Sequence, residues 1–315
     1  MAFTVTARGQ EHNGTSSSAT ETLSAFTPNN NSLVVVALHG ELDLGDGDDT
    51  LPASPITGGL TWTEEQSYES TAAPTFWATG NVDNRLNSGL FHAPVVTGSS
   101  ITLVGDATST AQACYYSMCA LDVTGHNVAS PIVQSAKNSS ANTSPADSVS
   151  LAVTLGTALT TGNLVVVSFG ASTNSGGGFA APTIGTKSMT QVYNRNGAYC
   201  QNGLWYRVID GTETNAVTTC TDLGQSVGNG TAFAIEVAAA AATSIEQEGF
   251  RFRTDSGNEA TPTWEAAQDT NVTMAAEVTK GLRVLIDYTG DPATGKPKLQ
   301  WRKVGDAASE WEAVT

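Results

Sequence analysis

Five carboxylates crowd one short segment: ELDLGDGDDT (41–50) holds Glu41, Asp43, Asp46, Asp48 and Asp49 among glycines. Oxygen-rich, flexible loops of this kind suit Ca2+, which takes roughly six to eight oxygen ligands. The spacing does not follow the EF-hand pattern, and a plain solvated acidic loop is the competing state. These five acids are the candidate calcium ligands, and no other cofactor is expected. GDPATGKP (290–297) comes close to a phosphate-cradling loop. That chemistry needs Ser or Thr after the lysine to hold Mg2+, and a strand running into a helix whose N-terminus faces the phosphates. Pro297 stands where the hydroxyl is needed, and alternating strand-like segments flank the motif, so it reads as a hairpin loop.

His12, His39, His92 and His126 are dispersed, with no HExxH zinc pattern and no GxSxG nucleophile elbow. Acids are numerous, but no two stand out as a glycosidase pair. The expectation is a non-enzymatic protein, with a glycan-cleaving enzyme as an alternative. Cys114, Cys119, Cys200 and Cys220 are too few for a disulfide framework and lack histidine neighbours at zinc spacing, so they read as small buried apolar groups. A pairing of Cys200 with Cys220 across strands stays open. Among the aromatics, Trp62 and Trp77 are the candidate glycan contacts, since an exposed indole stacks on sugar rings. Trp77 and Trp205 fall at matching places in two repeated stretches, where a core aromatic is expected. The sequons at Asn138 and Asn229 need a secretory route that the N-terminus does not announce.

The segments that must position these groups repeat. NSLVVVALHG (31–40) and TGNLVVVSFG (161–170) each follow a Ser/Thr-rich lead-in and precede a Gly-rich region and aromatic strand-like segments. LVVVAL (33–38) is a continuous apolar run, as a strand buried on both faces requires. ACYYSMCALDVTG (113–125) places Tyr116, Met118 and Ala120 on one face and Cys119, Leu121 and Val123 on the other. In the matching of the two stretches, LTWTEEQSY falls against MTQVYN, TFWATGN against GLWYRVI, and CALDVTG against AIEVAAA. Beyond VAAAAAT (237–243), GFRFR (249–253) and GLRVLIDY (281–288) alternate strictly.

These patterns define an all-β protein: two tandem antiparallel β-sandwich modules, Ig-like or jelly-roll-like, and a small C-terminal antiparallel β domain. The expected boundaries are an arm over 1–19, module one over 20–134, a linker over 135–147, module two over 148–238, an alanine connector over 239–243 and the C-terminal domain over 244–315. In 315 residues there are 14 basic and 30 acidic side chains, a net charge of −16. Residues 1–145 hold 3 basic against 13 acidic residues, whereas 243–315 hold 8 against 12. Such acidity repels a phosphate backbone and disfavours nucleic acid as a partner. No apolar run approaches the roughly 20 residues that span a bilayer. MAFTVTARGQ lacks a basic and apolar leader, so synthesis in the cytoplasm without a signal peptide is expected.

The lead-in followed by FTPNNNSLVVVAL, GGLTWT, FWATGN, ITLVGD and ALDVTGHNVASPIVQ resembles a β-sandwich module of tailed-bacteriophage virion structural proteins, as in minor tail and surface decoration proteins. EGFRFRTDSGNEATPTWEAAQDTNVT, with LRVLIDYTGDP and WRKVGDAASEWEAV, is similar to a terminal domain of phage structural proteins. The resemblance implies a multi-copy virion-surface protein: capsid decoration, head fibre or tail-associated component. Its implied partners are other virion proteins and further copies of itself, and it brings no catalytic residues. A host-glycan-binding adhesin is the alternative. Charge suggests that the acidic first module projects and the mixed-charge C-terminal domain docks.

Overall fold

The computed structural model describes residues 2–12, 19–42, 50–69, 86–108, 114–141, 150–173, 177–195, 199–221, 227–241, 244–253, 263–273, 281–289, 300–301 and 312–313, with the backbone alone at several strand ends. The chain divides into two compact units, Met1–Ala240 and Ala241–Thr315. Among the described residues there is no helix, and every strand pairing is antiparallel.

Eight strands come first: β1 (Thr4–His12), β2 (Glu21–Phe26), β3 (Ser32–Leu42), β4 (Ile56–Thr57), β5 (Thr63–Glu69), β6 (Leu86–Val95), β7 (Ile101–Gly105) and β8 (Cys114–Thr124). They form a five-stranded sheet, β1-β8-β3-β6-β5, and a three-stranded sheet, β2-β7-β4. The next nine are β9 (Ile132–Ala141), β10 (Ser150–Thr154), β11 (Leu164–Thr173), β12 (Thr183–Ile184), β13 (Lys187–Ser188), β14 (Thr190–Arg195), β15 (Cys200–Val208), β16 (Val217–Thr221) and β17 (Val227–Val237). They give the sheets β14-β15-β11-β17-β9 and β10-β16-β12-β13.

Strand for strand, the second set copies the first. Leu33 of β3 pairs with Val123 and Pro94; Leu164 of β11 pairs with Val237 and Val208. Laying Leu33 on Leu164 therefore puts β8 on β17, β6 on β15, β5 on β14 and β1 on β9. Each LVVV strand enters through a left-handed residue, Asn31 (φ 51°) or Gly162 (φ 93°), at corresponding positions. Such angles suit Gly and, after it, Asn.

Two expectations change here. Residues 135–141, expected in a linker, belong to β9, which pairs with β17 along the edge of the second large sheet. Polar composition does not prevent this, because an edge strand is held by backbone hydrogen bonds and needs little apolar surface. β9 is the counterpart of β1, so the duplication reaches further toward each N-terminus than the LVVV strands indicate. The second change concerns Trp77, which lies outside the described residues together with the rest of TFWATGN. Phe91 takes the position that corresponds to Trp205: Val36 pairs with Phe91, and Val167 with Trp205. Each ring folds back over a glycine two residues earlier. A Cβ on Gly89 would lie 2.3 Å from the Phe91 ring, and one on Gly203 would lie 2.0 Å from the Trp205 ring.

Three apolar layers hold Met1–Ala240 together. One lies between the two sheets of the first copy, with Val34, Val36, Leu38, Phe91, Leu103, Tyr116 and Met118. Another joins the sheets of the second copy through Leu151, Val153, Val165, Val167, Phe169 and Trp205. The third joins the copies: Leu33, Val35, Leu90, Leu121 and Val123 meet Leu164, Val166, Leu204, Phe233 and Ile235. The modules are thus two halves of one four-sheet block. An LVVV run without polar interruption is what a strand needs when each of its faces meets a different sheet.

The C-terminal unit contains β18 (Ser244–Arg253), β19 (Gly281–Thr289), β20 (Gln300–Trp301) and β21 (Glu312–Ala313), paired as β18-β19 and β20-β21.

Candidate functional site

Of the candidate calcium ligands, Glu41 is fully buried on β3, in line with Leu33, Val35 and His39 on the face toward the second copy. Asp43, Asp46, Asp48 and Asp49 lie outside the described residues. Among the described residues, no three His, Cys, Asp or Glu side chains group as metal ligands. Trp62 is half-buried against the core of the first copy, and the GDPATGKP motif lies outside the described residues. Cys119, Cys200 and Cys220 are buried thiols; Cys200 Sγ lies 3.5 Å from the His39 carbonyl oxygen, and Cys220 Sγ lies 3.0 Å from that of Ala180. They sit in different sheets and layers, and burial pushes the Cys119 thiol well above its ordinary value. Asn229, one of the sequon residues, is also buried.

Two buried carboxylates occupy corresponding places. Asp122 accepts from Arg8 Nη2 at 2.6 Å and from Asn29 N at 2.7 Å. Glu236 accepts from Thr160 N at 2.9 Å and from Asn163 Nδ2 at 2.8 Å. Each satisfies the turn leading into its LVVV strand, a structural use that accounts for the acid in both CALDVTG and AIEVAAA.

His39 is a buried polar group that one copy has and the other lacks. Its counterpart is Gly170, and a Cβ there would lie 1.9 Å from His39 Nδ1, so the missing side chain makes room for the ring. Nδ1 lies 2.9 Å from Ser88 Oγ, Nε2 lies 3.0 Å from Ser168 Oγ, and the ring stacks on Phe233 at 6.1 Å. Asn202 Nδ2 adds bonds to the carbonyls of Ala37 and Ser117 across the same layer. Desolvation holds the His39 imidazole near a pKa of about 3. In the unfolded chain it protonates near pH 6.5. Above that value its contribution is complete. As the pH falls from 6.5 toward 3, only the unfolded state gains the proton and stability declines, by at most about 1.4 kcal/mol per pH unit. The difference in unfolding free energy between the protein and His39→Gln should therefore shrink or reverse over that window. A pH-independent difference would show that the ring is not held neutral.

A concave site forms in the C-terminal unit, on residues not singled out by their motifs. Arg251 of β18 pairs directly with Arg283 of β19, which puts two cations side by side on one face. Like charges in this arrangement oppose pairing. Trp264 lies across them: the Arg251 guanidinium is 5.4 Å and that of Arg283 6.0 Å from its ring centre. Backbone bonds set the indole there, from Glu265 N to Phe252 O at 3.0 Å and from Asp269 N to Phe250 O at 2.9 Å. Asp269 Oδ1 also accepts from Phe250 N, at a residue with φ 60°. Gly249 permits the close approach, because a Cβ there would lie 2.3 Å from Gln268 Nε2. The result is an open pocket of about 220 Å3 lined by Gly249, Phe250, Arg251, Trp264, Gln268, Arg283 and Leu285. The strict alternation of GFRFR and LRVL signalled which arginines share a face. Their register, and the tryptophan over them, were not visible in the pattern.

No protein-family model matches the chain, and neither curated proteins nor solved structures provide a match.

Proposed function

We propose that this is a non-enzymatic, multi-copy bacteriophage virion-surface protein, either capsid decoration, head fibre or tail-associated. In this role the duplicated block displays surface and the C-terminal unit docks. The observation that carries the reading is the fusion of the two copies through Leu33, Val35, Val166, Leu204 and Phe233. A block joined in this way projects as one body and presents the loops of both copies in fixed relation. The sequence resemblance to virion modules and the concentration of basic residues in 243–315 support the same assignment of roles.

Purified particles assembled with the full chain should contain it in many copies, visible in averaged particle images. Particles assembled with a chain lacking 244–315 should lose it, provided that the thermal transition of the remaining block is unchanged. Retention of the shortened chain at full occupancy would refute docking by the C-terminal unit. Absence of the full chain from washed particles would refute the virion assignment itself.

A further inference from the structure

We propose that the pocket formed by Arg251, Trp264 and Arg283 receives an acidic side chain of a partner protein, a carboxylate on a short aliphatic stem with apolar neighbours. This deepens the docking role given above and rests on it. Arg251 and Arg283 stand directly opposite in the strand pairing, both guanidiniums lie near the Trp264 ring, and among the described residues no carboxylate pairs with either. Arg251 Nε is buried and lacks a hydrogen-bond partner among those residues. Among the described residues the pair is uncompensated, in a chain with 30 acidic and 14 basic side chains. Planar guanidinium forks match a carboxylate in two-point geometry, and one anion between two cations turns their repulsion into attraction.

The rest of the lining fixes the kind of carboxylate. Phe250, Trp264 and Leu285 offer apolar surface, with Leu285 53% exposed, and Gln268 adds a single carboxamide. A sugar acid would bring several hydroxyls, and this wall holds too few polar groups to satisfy them. A glutamate or aspartate flanked by apolar residues leaves nothing unsatisfied: its stem lies on the indole while its head meets the two arginines. An opening of about 220 Å3 is of side-chain dimensions.

The test uses the full chain and a short labelled peptide alternating glutamate and leucine, with the glutamine-for-glutamate peptide, a glucuronate-containing oligosaccharide and the chain itself as further arms. The glutamate peptide should bind with salt-sensitive affinity, and Arg283→Gln or Trp264→Ala should weaken it by at least about tenfold. Arg207→Gln, in the other unit and paired with Asp210 and Glu213, should leave it unchanged. The same variants should retain the thermal transition of the 1–240 block. Equal binding of the glutamine peptide, unchanged affinity in both pocket variants, or no binding would overturn the proposal. Preference for the uronate sugar would replace the partner class, and self-association abolished by Arg283→Gln would assign the pocket to a second copy; either result overturns it. Particle retention separates this from the docking role. Peptide binding without particle retention refutes the role alone, whereas loss of the shortened chain, lacking 244–315, from particles while the full chain is retained but binds no peptide refutes the pocket alone.

Discussion

Replacing Val166 with aspartate should strongly destabilise both copies at once. Val166 is fully buried on β11, and its side chain lies in the layer shared with Leu33, Val35 and Leu121. A carboxylate there enters a buried apolar cluster, and burying an unpaired charge costs several kcal/mol, so a loss above about 4 kcal/mol is expected. The layer belongs to both copies, so hydrogen exchange in β3 should accelerate together with exchange in β11, and urea unfolding should stay a single transition. Val128→Asp serves as the control: Val128 is 47% exposed, and its replacement should cost within about 0.5 kcal/mol. Loss of protection confined to β11 would mean that the copies are independent domains.

Truncating Trp205 to alanine should be nearly as severe, at about 3–5 kcal/mol. The indole is fully buried, meets Phe169 edge-on at 5.8 Å and Phe179 at 6.2 Å, and closes over Gly203. Trp205→Phe should cost much less, because the first copy places Phe91 at the corresponding position above Gly89. Trp62→Ala should cost less than Trp205→Ala, since Trp62 is only partly buried. Equilibrium denaturation of the three variants gives the order. A Trp62 variant as unstable as Trp205→Ala would place that indole in the core and remove it from consideration as a glycan contact.

The Gly-Leu-aromatic sequence, GLF at 89–91 and GLW at 203–205, was the signal that would have aligned β6 with β15. It was obscured because β6 reads LNSGLFHAPV, in which Asn87, Ser88 and His92 interrupt any apolar period although all three are buried. Polar groups inside a layered block are satisfied by partners from other strands, as Asn87 Nδ2 is by the Ala107 carbonyl, and local composition does not reveal such partners. The candidate site was legible only in part, for a similar reason. Alternation places Arg251 and Arg253 on one face, but it does not give the register that sets Arg251 against Arg283, which holds from Gly249 to Arg253 and shifts at a bulge between Gln247 and Gly249.

The amino-acid order alone established the all-β class, the duplication and the two faces of β8. Those features rest on local periodicity: Tyr116, Met118 and Ala120 point into one core, and Cys119, Leu121 and Val123 into another. Tertiary structure decided that the second faces of the LVVV strands meet each other, and that SAKNSSA completes a sheet. It also decided that the glycine at 170 accommodates the histidine at 39, and that an indole bridges two arginines. Backbone pairing is nearly blind to composition, and a void for a side chain exists only once a distant surface closes over it. Neither is written in the period of a single strand.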